Sequence, residues 1–188
     1  MSHRIATATL SSVSPYSASR AHSAPKLEKE LHGDYEDRTW RMKLHTDHAT
    51  GRVVLPAMAF KWCIASAAKR LQMQIAGKGK STYTKHFLSG VLVMENLLLP
   101  IKPEDVPATP VYANADGVRG SGKRVMRFFP TVHEWSGDIA FHVIDDVIKP
   151  EIFEAVLTEA GNFIGIGQFR PENGGYCGRF KVDRIVWS

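Results

Sequence analysis

The stretch GNFIGIGQFRPENGGYCGRFKV, residues 161–182, constrains the fold more than any other, because it holds six of the chain's fifteen glycines beside Arg170, Tyr176, Arg179 and Phe180. Glycine costs about 0.5–1 kcal/mol relative to alanine in regular structure and is favoured where φ is positive or where a ligand or another backbone comes close. The stretch therefore reads as a loop, and its flanks define what it joins. Upstream, Pro150 suits a first helical position, and Ile152, Phe153, Val156, Leu157 and Ala160 recur at helical spacing. A helix over 150–161, stopped by Gly161, follows. Downstream, Phe180 and Val182 alternate with Arg179, Lys181 and Asp183, which predicts a half-buried strand over 178–187. Helix, glycine loop, strand is the reverse of the dinucleotide-binding order, and Arg170 stands where the third glycine of that fingerprint belongs.

The chain has 188 residues, 44% of them hydrophobic, enough for one domain with a real core, and it shows no apolar run near 18 residues. Two cysteines, Cys63 and Cys177, make no disulfide framework or metal motif, so a reducing cytoplasm is the expected compartment and packing their expected role. The net charge of +5 is small, but it is segregated. No acid falls between Asp47 and Glu95, where Arg52, Lys61, Lys69, Arg70, Lys78, Lys80 and Lys85 all lie. A second acid-free run, 117–133, carries Arg119, Lys123, Arg124 and Arg127, whereas 134–159 holds seven acids against Lys149 alone. Such asymmetry favours a polyanion on one surface; a solvated basic face with no partner has the same composition.

Along the chain, the β-branched run RIATATLSSVS (4–14) ending at Pro15 predicts a first strand of the same sheet as 178–187. The acid-free, serine-rich first 27 residues would otherwise suggest a transit peptide. RVVLPAMAFKWCIASAAKRL (52–71) predicts a short strand, then a helix begun at Pro56 with Phe60, Ile64, Ala67 and Leu71 on one face. AGKGKSTYTKHF reads as a basic loop, SGVLVMENLLLP as a strand, 100–110 as a proline-rich connector and YANADGVRGSGK as a flexible basic loop. RVMRFFPTV and IAFHVID predict two strands separated by a turn around Ser136 and Gly137. Gly79-Lys80-Ser81 imitates the end of a phosphate loop, but Gln74 occupies the first glycine position and a helix precedes it.

Gly165-Ile-Gly167-Gln-Phe-Arg170 and Gly174-Gly175-Tyr-Cys-Gly178-Arg179-Phe180, placed after the second helix and before the last strand, and VLPAMAFKWCIASAA after the first strand resemble the RAMP superfamily. Its members include the backbone subunits of CRISPR effector complexes. The likeness covers most of the chain in element order and about a fifth in motif. Ala57 and Met58 stand where that family usually carries glycine and serine, and the chain is short for the usual thumb-like insertion, a size that suits a phage or mobile-element relative. The resemblance implies an α+β fold, a ferredoxin-like or RRM-like βαββαβ antiparallel sheet with helices on one face and a long insertion after the first strand. It implies one RAMP-like domain over 1–188, with 14–51 and 73–123 as insertions or loops.

It also implies a non-catalytic protein that binds single-stranded RNA or DNA, with copies of itself or other ribonucleoprotein subunits as further partners, and no cofactor. Lys78, Lys80, Lys85, Arg119, Lys123, Arg124, Arg170 and Arg179 would meet phosphates, Tyr83 and Tyr176 would stack on bases, and Gly165, Gly167, Gly174 and Gly175 would admit phosphates to backbone N–H groups. The competing reading leaves Phe169, Tyr176 and Phe180 in the core and the arginines solvated. Two other functions are open: an interaction or inhibitory module contacting a protein through 134–159, and a metal-independent endoribonuclease with His86, beside Tyr83 and Lys85, as its acid or base. His45, Asp47 and His48 in HTDH read as surface residues, since no third metal ligand follows by spacing.

Overall fold

A computed structural model describes residues 3–114 and 122–188. In chain order the elements are β1 (Arg4–Ser12), β2 (Tyr16–Ser17), α1 (His32–Thr39), β3 (Val54–Leu55), α2 (Ala57–Leu71), α3 (Thr84–Gly90) and β4 (Val91–Leu92). They continue with β5 (Leu97–Leu98), β6 (Ala108–Asn114), β7 (Arg124–Val132), β8 (Ser136–Val143), α4 (Pro150–Glu159) and β9 (Phe180–Trp187).

Alternation in β1 sets the sheet. Ala6, Ala8 and Leu10 are fully buried while Thr7, Thr9 and Ser11 face outward, the period-two pattern of a strand covered on one side. β1 pairs antiparallel with β8 on one edge and β9 on the other, and β8 pairs antiparallel with β4, giving the order β4-β8-β1-β9. With α2 between β1 and β4 and α4 between β8 and β9, the chain traces βαββαβ, a ferredoxin-like α+β arrangement. A register shift between Thr9 and Leu10 in the pairing with β9 lets Asp183 and Arg184 both remain exposed while Val182 and Ile185 turn to the core.

Both helices cover the face that carries Ala6, Ala8 and Leu10. Phe60 of α2 meets Phe180 of β9 and Trp135 edge-on, at centroid distances of 6.1 and 6.3 Å. Phe153 of α4 meets Phe141 of β8 and Trp187 of β9, both at 5.3 Å. Each fully buried aromatic contributes about 1.5–3 kcal/mol by leaving water, so this layer holds the helices to the sheet.

Four local expectations change. The stretch 76–87 is not all loop: α3 occupies Thr84–Gly90, and the strand expected over 89–100 shrinks to β4 and β5, two residues each. The connector and basic loop before Arg124 contain β6, which forms a long hairpin with β7, Ala108 opposite Pro130 through Asn114 opposite Arg124. Pro110 suits that position because β6 is an edge strand. Ser136 and Gly137 begin β8 rather than a turn, and β7 joins a separate sheet, β2-β7-β6. Gly161 does not stop the helix either: a π-type turn runs on through Ala160–Ile164, and the chain reverses at Gly165, φ 72°. Glycine is needed at 161 because a Cβ there would strike the carbonyl oxygen of Phe180.

Candidate nucleic-acid interface

The glycine loop is stitched to itself and to the chain after β1. Ile166 N–H donates to Gly178 O at 3.0 Å, Cys177 N–H to Phe169 O at 2.9 Å, Gln168 N–H to Ser17 O at 2.8 Å and Gly178 N–H to Pro15 O at 2.8 Å. Its glycines follow from this folding. A Cβ on Gly175 would strike the Phe169 carbonyl and one on Gly178 the Ile166 carbonyl, and Gly178 holds φ 76°. The close approach that the sequence demands is thus made by the chain to itself.

Beside this loop lies the N-terminal end of α2, where Pro56 in extended conformation precedes Ala57, whose N–H donates to Asn96 Oδ1 at 2.9 Å. The two enclose a cleft of about 450 Å³, lined by Gly165, Gly167 and Arg170 on one wall and Met58 and Trp62 on the other. A second cleft, about 730 Å³, runs between the outer half of the loop and the β6-β7 hairpin, where Gly174, Gly175 and Phe169 face Tyr112, Arg124 and Arg127. A third, about 910 Å³, extends along α2 past Lys69 and Arg70 to Leu88 and Phe163. Ser19 and Gln168 line the first two, and Trp62 and Arg170 line the first and third, so the three form one groove around the loop.

Six expected residues therefore come together: Gly165, Gly167, Gly174, Gly175, Arg124 and Arg170. Arg170 is partly neutralised, its Nε donating to Glu172 Oε2 at 3.0 Å. Arg179 donates to the carbonyls of Asn162 and Tyr176 at 3.1 and 3.3 Å, and Tyr176 is 63% exposed; both sit on the loop but outside the three clefts. Lys78, Lys80 and Lys85 are exposed on the turn after α2 and on α3 and line none of them. Lys123 is exposed immediately before β7, and Arg119 lies outside the described residues. Tyr83 is corrected: at 8% exposure it belongs to the core, and its ring has no open face for a base.

Trp62, Met58, Phe163, Lys69 and Arg70 were not anticipated. Trp62 is 58% and Met58 65% exposed, and they lie four residues apart on the face of α2 opposite Phe60 and Ile64. That is a legible signal, because an exposed tryptophan on an otherwise amphipathic helix is a departure from the pattern that buries it. Arg70 stacks over Phe163 at 4.9 Å and donates to Glu159 Oε1 at 2.8 Å.

Cys63 borders the first cleft, but burial pushes its thiol up and its Sγ–H donates to Ala160 O at 3.3 Å, so it packs. His45 is held below the usual histidine range by burial and by the charge of Arg20. His86 Nδ1 lies 2.7 Å from Asp145 Oδ2. Burial alone would raise the Asp145 carboxyl; the Val147 N–H and His86 outweigh it and hold the group low. This pair faces away from the groove, since Thr84 and Leu88 of the same helix line the third cleft and His86 does not. Among the described residues no three potential ligands cluster for a metal, and no helix is long and apolar enough to cross a membrane.

No family model matches the chain, and no curated protein matches it. Among solved structures it is similar to Cmr6 from Pyrococcus furiosus, with 12% identity over 97% of this chain and 99% of that one, at a TM-score of 0.48.

Proposed function

We propose that this protein is a RAMP-like subunit that binds single-stranded RNA or DNA, without cleaving it, in the groove around the glycine loop. The observation that carries the reading is Trp62. An indole 58% exposed stands between the first and third clefts, with Arg170 on the same boundary, Lys69 and Arg70 along the third and Arg124 in the second. Single strands are held by aromatic faces under bases, worth ~1–3 kcal/mol each, and by cations along the phosphates. The groove supplies both. Its length and its continuation onto the β6-β7 hairpin also suit a strand passing on to a neighbouring copy or subunit.

Trp62 also reports on its own occupancy. Of the four tryptophans, Trp135 is buried and Trp40 and Trp187 are half-buried, so stacking on Trp62 is expected to quench the most exposed part of the intrinsic fluorescence during titration with single-stranded oligonucleotides. Trp62→Phe should retain binding and lose most of that signal. Binding with unchanged fluorescence would place the strand elsewhere. A second reading, metal-independent RNA cleavage, has the His86–Asp145 pair in its favour, because a carboxylate-oriented histidine is suited to general base work. RNA cleavage in chelator that disappears in His86→Ala would replace binding by turnover.

A further inference from the structure

We propose that the cavity of about 330 Å³ between residues 19–22, α1 and β7 is an anion site that takes a phosphate group on Arg20 and Arg127. Ser19, Arg20, His22, Tyr35, Lys43 and Arg127 line it, with Glu36 at its base. The backbone that presents Arg20 is pinned on both sides, Ala18 N–H donating to Pro130 O at 2.9 Å and Arg20 N–H to Lys43 O at 2.8 Å. Its guanidinium finds no carboxylate among the described residues.

The charge beneath it is unbalanced. Glu36, 2% exposed, accepts from Lys43 Nζ at 2.7 Å and from Phe128 N–H at 3.3 Å, and Arg127 Nε stands 3.4 Å from its other oxygen without forming a hydrogen bond. One carboxylate faces Lys43 and Arg127; the cluster therefore carries one excess positive charge, and Arg20 brings a second. His22 Nδ1 is likewise buried without a partner. Buried polar atoms are nearly always satisfied, and Arg127 Nε and His22 Nδ1 beside this excess charge are groups that an anion can satisfy. Two guanidinium groups and the Ser19 hydroxyl, lining one cavity, supply the kind of donors and the charge that a phosphate takes.

Ser19 lines this cavity and also the first two clefts of the groove, so a phosphate seated here can be part of a strand lying there or a free anion. That it belongs to the strand rests on the proposed function; the anion site does not.

Two measurements separate these sources, using wild type and Arg20→Gln, a substitution at an exposed side chain. The first is thermal unfolding in inorganic phosphate against chloride of equal ionic strength. The second is single-strand binding across a salt series, with oligonucleotides bearing or lacking a 5′-phosphate. Phosphate is expected to raise the melting temperature of wild type and not of Arg20→Gln. Arg20→Gln should bind strands several-fold more weakly, with a salt slope lower by about one; a loss confined to 5′-phosphorylated strands identifies the end of the strand as the ligand, and a uniform loss identifies an internal phosphodiester. A phosphate shift with unchanged strand binding supports the anion site and overturns its link to the strand. A phosphate shift with no strand bound by wild type leaves the site standing and defeats the proposed function. Equal melting shifts and equal strand binding in the two proteins overturn the proposal.

Discussion

Trp62 and Glu36 show two ways in which a single residue breaks the rule for its environment. Trp62 leaves a large apolar ring in water; Glu36 takes a carboxylate out of it. Because Trp62 is mostly exposed, Trp62→Ala should change stability by no more than about 0.5 kcal/mol while costing roughly 1–3 kcal/mol in strand binding for one stacked base; unfolding curves and titrations on the same preparation check both. Glu36 is different, since removing one member of a buried ion pair costs about 3–5 kcal/mol. Burial would raise its carboxyl, but Lys43, the Phe128 N–H and Arg127 together hold it below the ordinary value. A depressed folded value gives stability that is present above the unfolded value and lost as pH falls through the folded one. The melting temperature should therefore drop on acidification below the usual glutamate range, near 4. Glu36→Gln should be less stable at neutral pH and show a shallower acid loss, measured by melting across pH.

At the scale of elements, what was legible in the sequence followed from periodicity. The alternation of β1 and β9 and the apolar stripes of α2 and α4 are direct statements of which face is buried, and these elements stand as read with their ends shifted by a residue or two, apart from the π-type turn that carries α4 on to Ile164. α3 and the β6-β7 hairpin were not legible. Thr84–Gly90 is only seven residues long and its basic, polar composition resembles a loop, while Pro110 argued against a strand that only its place at a sheet edge permits. The glycine loop is legible as a loop, but its glycines serve self-packing, a long-range contact that no local pattern states. Gly178→Ala, which would press Cβ on the Ile166 carbonyl at φ 76°, is accordingly expected to destabilise by about 1–3 kcal/mol and to weaken binding only as far as the loop loosens. Calorimetry with a parallel binding curve distinguishes that from loss of a contact. Of the basic residues, Arg124 on the hairpin lines the groove and Lys78 on the turn after α2 does not. Arg124→Ala should lower the salt slope of strand binding by about one, and Lys78→Ala should leave it unchanged.

For the whole molecule, one βαββαβ sheet carries two insertions, 13–56 before α2 and 93–135 between β4 and β8, which are joined where β2 pairs with β7 and both of which border the glycine loop. The charge segregation seen in the sequence is only partly translated into a site: Arg179 is engaged within the loop and Arg170 is paired with Glu172 at the groove, whereas Arg20, Arg124 and Arg127, from the two insertions, line the groove and its adjoining cavity. The most direct test of the account is the salt dependence of binding to single-stranded RNA, single-stranded DNA and duplex of matched sequence. Affinity for single strands should exceed that for duplex and should fall linearly in log–log form with rising salt, since each neutralised phosphate releases counterions. No retention of any single strand at low salt, or retention that salt leaves unchanged, would contradict it.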